Sequence, residues 1–167
     1  LREKYPLRGT RLCYAFKKEK MDLFRKIYDD PSTSKKEADF VDFFKTHRSW
    51  LEHYACYKML KEKFENRGWQ EWPEEYRNFS EASIEKLVRE DAATFVFHQW
   101  LQWQLFEQLE RVKAYASQKG VLLMGDIPFL VSRDSVNVWA HQNYYKLELS
   151  SGAPPDLYFS KGQRWGM

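Results

Sequence analysis

The sequence predicts an α/β chain in which a long helical region is followed by a strand and loops, and three observations carry that prediction. Residues 1–119 hold 23 of the 27 Lys and Arg and 20 of the 24 Asp and Glu, but only two of the seven glycines, Gly9 and Gly68. Residues 120–167 hold the other five glycines and only eight charged residues. At the junction, Val121–Met124 form an apolar run between Gly120 and Gly125, directly after a helical pattern. Charges coat helix faces while Gly and Pro punctuate loops, so the chain divides at 119/120. A short apolar run bounded by glycines and fed by a helix reads as a buried strand of a parallel sheet.

The elements follow in order. A short helix near Met21–Tyr28 should stop at Asp29-Asp30-Pro31, because Pro31 cannot donate and disfavours helix in the residue before it. Ser34-Lys-Lys-Glu37 reads as a capping box opening the next helix. Phe40, Phe44, His47, Leu51 and Tyr54 recur at helical spacing, and Cys56, Leu60 and Phe64 continue an apolar face to Gly68, the expected stop. Trp69–Pro73 is a turn that plants two indoles. A second long helix is expected from Ser83 to Lys119, with Leu101, Leu105, Leu109, Val112 and Ala116 on one stripe. Phe95, Trp100, Trp103 and Phe106 widen it, and Gly120 ends it in the left-handed conformation.

Composition narrows the function. The 29 aromatic residues (7 Trp, 10 Tyr, 12 Phe) argue against disorder, and no stretch approaches the roughly 18 apolar residues of a membrane span. The two charge signs are interleaved with no basic stripe, which argues against a nucleic-acid partner. Cys13 and Cys56 have neither zinc spacing nor the density of a disulfide scaffold, and read as buried free thiols. With no signal-like segment in view, they point to the cytoplasm. His47, His53 and His98 lack a partner at i, i+4 and read as packing or solvated histidines, so no metal is expected.

The chemistry is expected after residue 120. Asp126 follows the apolar run, and the carboxyl ends of parallel strands carry catalytic groups in α/β folds. It reads equally as a cap on the turn before Pro128. Asp134 reads as the cap of a short helix packed down by Val138 and Trp139. Gly152-Ala-Pro-Pro-Asp156 is a rigid turn that can be neither helix nor central strand. Trp165 lies between Gly162 and Gly166 with Gln163 two residues earlier. An indole face stacks on a sugar ring and a Gln amide serves its hydroxyls, so with Asp126 these residues suggest a carbohydrate cleft.

Two motifs, GDIPFLVSRDSVNVWAH from Gly125 and GAPPDLYFSKGQRWGM from Gly152, resemble in order and spacing the 4-alpha-glucanotransferases. These amylomaltases, or disproportionating enzymes, form glycoside hydrolase family seventy-seven of the alpha-amylase clan. The stretches from Trp50 and from Phe95 resemble the helical region before that family's third barrel strand, so the resemblance covers about residues 38–167 and, weakly, the segment before it. It implies a (β/α)8 TIM barrel with helical insertions, of which this chain supplies the insertion region and one strand with its active-site loops. It also implies transfer of an α-1,4-glucan segment to another glucan's 4-hydroxyl through a covalent intermediate, with no cofactor. Asp126 matches the strand-tip residue that hydrogen-bonds the donor sugar, Gln163 and Trp165 match cleft residues, and Asp156 matches a supporting position. The family's catalytic carboxylates lie downstream of the Gly-Gln-x-Trp-Gly loop, so none is assigned within 1–167, and the role of Arg133 is open. The Ser-Gly-Ala-Pro-Pro-Asp wording resembles the longer, maltose-using branch.

A barrel needs about 250 residues, so the chain reads as a piece of a longer protein whose remaining barrel is its partner. Alone it should be inactive and marginally stable. Three other readings stand beside the transferase: an α-glucan hydrolase of the same clan, a non-catalytic helical interaction module, and a glucan-binding module.

Overall fold

The computed structural model describes residues 15–33, 38–128 and 130–165. Residues up to Asp42 form one compact unit and residues from Phe43 another. In the first, α1 (Ala15–Asp29) is longer at its start than expected but ends where Pro31 predicts. Past its last turn, the Asp30 carboxylate accepts from the amide (2.8 Å) and hydroxyl (2.6 Å) of Ser32. That local turn replaces the next helical hydrogen bonds. The Ser34–Glu37 box and Cys13 lie outside the described residues.

α2 (Ala38–Lys63) buries Leu51, Cys56 and Leu60 completely. Burial pushes the Cys56 thiol up to about 12, so it is an inert packing group rather than a nucleophile. The helix stops before Gly68. Glu65 (φ 52°) and Asn66 (φ 63°) take the left-handed conformation, and the Asn66 amide donates back to the Lys61 carbonyl at 2.7 Å. Lys61 makes this possible without glycine, because its ammonium donates to the carbonyls of Asn66 and Arg67, both at 2.8 Å. Those bonds offset a strain of about 1–3 kcal/mol per left-handed non-glycine residue.

The indole turn is as predicted. A single 3-10 turn, Trp69–Glu71, places Trp69 and Trp72 in the core, and α3 (Glu74–Arg77) adds Tyr76. The expected single helix from Ser83 to Lys119 is two helices, α4 (Glu81–Glu90) and α5 (Ala92–Gln118). Asp91 divides them, since its extended φ of −149° breaks the ladder while its carboxylate accepts from the Thr94 amide at 3.0 Å. An Asp that caps the following helix outcompetes continuation of the preceding one. α5 ends at Gly120 (φ 69°), with Gly120 N–H bonded to Ser117 and Val121 N–H to Ala116, the expected left-handed stop.

Trp100 and Trp103 of α5 are buried, but the stripe beyond them is not: Leu105, Leu109, Val112 and Tyr115 each expose more than half their surface. The following run differs more sharply from the buried strand expected. Val121–Met124 adopt no regular structure, and Leu122 and Met124 are 95% and 98% exposed. A strand is held by a ladder, and among the described residues no segment pairs with this one.

The chain returns to the core through α6 (Val136–Ala140), which buries Val138 and Trp139. Tyr57, Trp72 and Trp139 meet there with ring centroids 5.4–5.8 Å apart, and the Trp139 Nε1–H donates to the Tyr76 carbonyl at 2.8 Å. Residues of α2 from Cys56 on, the 69–76 segment, α4 and the start of α5 therefore share one core with residues 131–147. A 3-10 turn, Gln142–Tyr144, leads on to β1 (Gly152–Ala153) and β2 (Gln163–Arg164), an antiparallel pair. No helix among the described residues is long and apolar enough to cross a membrane.

His53 packs edge-on to Phe79, with ring centroids 4.8 Å apart, and 5.6 Å from the ring of His141. Burial holds its imidazole below the usual value; His141 pushes the same way and Glu52 opposes. The folded state therefore favours neutral His53, and the unfolded chain takes up the proton first. This contribution is fully present above pH about 6.5 and is lost as pH falls through the lower folded value. The melting temperature is expected to fall between pH 7 and pH 5, less steeply in His53→Gln; equal slopes in the two proteins would contradict this.

Candidate functional site

The candidate site is the hairpin of β1 and β2 with its nine-residue loop, 154–162. Proline at 154 and 155 removes two donors, so the strands stop after two residues each. Asp156 closes the loop: its carboxylate accepts from the amides of Tyr158 (2.8 Å) and Phe159 (2.7 Å), and its own amide donates to the Phe159 carbonyl. A Cβ at Gly152 would lie 2.2 Å from the Gln163 carbonyl oxygen, and Gly162 has φ 72° with the Ala153 carbonyl where its Cβ would go. Only glycine permits this approach of the two strands.

The hairpin brings Gln163 and Trp165 together. The Trp165 Nε1–H donates to Gln163 Oε1 at 3.2 Å, and the Trp165 amide donates to the Ser151 carbonyl at 2.9 Å. Trp165 is 43% exposed, so its indole nitrogen is held while part of the residue stays open to solvent. Gly166 lies outside the described residues. Among the described residues no hydrogen bond links Asp126 to Gln163 or Trp165: it is exposed, and its carboxylate accepts only from the amide of Ile127, at 2.8 Å. Among the described residues no group of three or more His, Cys, Asp or Glu is placed to hold a metal ion.

Asp134 is not the helix cap the sequence suggests. Ser135 caps α6, its hydroxyl accepting from the Val138 amide at 3.4 Å. Asp134 instead accepts from the Tyr57 hydroxyl (2.7 Å), the Lys61 ammonium (2.7 Å) and the Trp69 amide (3.3 Å). Burial alone would push its carboxyl up, but the Lys61 and Tyr57 hydrogen bonds outweigh that and hold it below the usual carboxylate range. The Tyr57 hydroxyl is pushed up, first by burial and then by the same carboxylate. Next to it, the Arg133 carbonyl accepts from the Trp69 indole at 2.7 Å. Sequence reasoning missed this junction because Tyr57 and Lys61 lie 77 and 73 residues from Asp134. The one local signal was that Tyr57 and Lys61 share a helix face at i, i+4.

Asp134→Ala is expected to cost about 1–2 kcal/mol, below the figure for a buried ion pair because water screens this half-exposed carboxylate. A urea midpoint equal to that of the wild type would contradict it.

A family model described as 4-alpha-glucanotransferase matches residues 10–167, which takes in the segment before residue 38 where the motif resemblance is weak. Among curated proteins, the 4-alpha-glucanotransferase of Aquifex aeolicus is 34% identical over 131 residues, covering 75% of this chain and 27% of that protein. The 4-alpha-glucanotransferase DPE2 of Oryza sativa subsp. japonica is 32% identical over 151 residues, covering 88% of this chain and 16% of the relative. Among solved structures, the amylomaltase from Streptococcus agalactiae in complex with acarbose superposes with a TM-score of 0.78 at 25% identity, covering 99% of this chain and 36% of that one. The chain thus spans between 16% and 32% of the length of the curated relatives it matches.

Proposed function

The chain belongs to the 4-alpha-glucanotransferase family, and from that premise we propose that the protein of which it is part cuts an α-1,4-glucan and passes the released segment to the 4-hydroxyl of another glucan or of glucose. The observation that carries this reading is the Gln163–Trp165 pair, a half-exposed tryptophan whose indole nitrogen is held by Gln163 at the open end of a glycine-tightened hairpin. Such a surface stacks on a pyranose ring, and the Gln amide retains a donor for a sugar hydroxyl. Asp126 hydrogen-bonds the donor sugar next to the cleaved bond, and Asp156 supports the loop without touching the reacting atoms.

The reaction is a retaining double displacement. A carboxylate attacks the anomeric carbon while a carboxylic acid protonates the leaving 4-oxygen. The acceptor's 4-hydroxyl then displaces the enzyme carboxylate and gives its proton to the group that acted as acid. Neither carboxylate is assigned to this chain. Its residues bind and orient: the described helices before residue 120 belong to the region preceding a barrel strand, and the residues after it supply that strand, once the rest of the barrel pairs with it, and the sugar-binding loops. The exposed Val121–Met124 run and the Leu105–Tyr115 stripe support the presence of covering barrel elements, since apolar patches of this kind mark contact surfaces. The isolated chain is accordingly inactive and marginally stable.

The test is to give the full-length protein labelled glucose together with maltodextrin. Label appearing in maltose and longer chains is the result expected of a transferase. Label remaining in glucose while the maltodextrin shortens would replace it with the hydrolase reading.

A further inference from the structure

We propose that Arg133 is a positioning residue that fixes the Gln163–Trp165 hairpin, an inference that rests on reading that hairpin as sugar-binding. One terminal nitrogen of its guanidinium, Nη2, donates to two backbone carbonyls, those of Leu147 and Leu149, the latter at 3.1 Å. Two residues further on, the Ser151 carbonyl accepts from the Trp165 amide, and Gly152 and Ala153 pair with Arg164 and Gln163. The run 147–151 is therefore gripped by Arg133 at one end and carries the hairpin at the other.

Arg133 can hold that run because its own backbone is fixed. Its carbonyl accepts from the Trp69 indole, and the adjacent Asp134 is tied to Tyr57 and Lys61 on α2. A continuous set of contacts thus runs from α2 through residues 133–134 and 147–149 to the open indole. Arg suits the position because its planar fork presents rigidly spaced hydrogens to two acceptors, whereas a lysine ammonium sits on a flexible stem. Arg133 is itself exposed while Val138 and Trp139 make the core beside it, so removing its side chain leaves the core packing intact.

The experiment compares wild-type, Arg133→Met and Arg133→Lys full-length proteins by amide hydrogen exchange and by maltotriose kinetics. In Arg133→Met the Trp165 amide is expected to exchange about tenfold faster, with exchange across residues 57–69 unchanged. KM for maltotriose is expected to rise by about tenfold with kcat changed less than about twofold, and Arg133→Lys should fall between the two proteins. Unaltered exchange at Trp165 in both variants would overturn the proposal, as would faster exchange throughout residues 57–69, which would make Arg133 a general stability residue. Should Arg133→Met not fold, Arg133→Lys decides by the same two readouts. If the wild type transfers no glucan, the sugar-binding reading fails by itself, and the exchange data still decide whether Arg133 fixes the hairpin.

Discussion

Asp126→Ala, made in the full-length protein, is expected to lower kcat/KM for glucan transfer by about 10²–10³ and to leave the melting temperature within about 1 °C of wild type. The two halves of this expectation have separate physical grounds. The carboxylate is exposed, and among the described residues it accepts only from the amide of Ile127, so the fold takes little stability from it. In the role proposed for it, a charged acceptor on the donor sugar strengthens its hydrogen bond as charge develops at the anomeric centre, so its loss falls on the transition state. Asp126→Asn keeps one acceptor oxygen without the charge and should lie between wild type and Asp126→Ala. A lowered melting temperature with unchanged transfer would reverse the assignment and make Asp126 the cap of the turn before Pro128.

Trp139→Ala has the largest expected effect on stability, about 3–5 kcal/mol. Its side chain is 1% exposed and meets Tyr57, Trp72 and Phe79, the last at 5.2 Å, while its indole N–H satisfies the Tyr76 carbonyl. The substitution removes the ring and leaves a buried acceptor unpaired, two costs that add. A marginally stable chain sits at or below the low end of the usual range of about 5–15 kcal/mol, so the isolated chain should lose any cooperative urea transition and its near-ultraviolet dichroism. Trp139→Phe keeps most of the packing and is expected to cost roughly 1–2 kcal/mol, mostly for the lost hydrogen bond. A cooperative transition retained by Trp139→Ala at the wild-type midpoint would show that α6 does not close this core.

What the sequence makes legible here is local. The stop at Gly120, the turn that buries Trp69 and Trp72, and the end of α1 before Pro31 each follow from residues within a few positions of one another. Where local patterns compete, the reading fails. The sequence reads as one helix from Ser83 to Lys119, yet the Asp91 carboxylate captures the Thr94 amide and starts a new helix. Gly68 is the expected helix stop on composition, but the Lys61 ammonium stabilises left-handed Glu65 and Asn66 three residues sooner.

Long-range features are out of reach for a different reason. Nothing near Asp134 reveals that it accepts from Tyr57 and Lys61, because the fold creates that junction. The Val121–Met124 run has the composition of a buried strand, but a strand exists only beside a partner. Of the candidate site, the pairing of Gln163 with Trp165 and the loop-closing place of Asp156 were within reach of motif reading. The contact of Arg133 with the carbonyls of Leu147 and Leu149 was not.

The most direct measurement is disproportionation of maltotriose by the full-length protein, with products separated by chain length. Glucose appearing together with maltodextrins longer than maltotriose is the result the transferase account predicts. Glucose and maltose alone, with nothing longer at any time point, would contradict it.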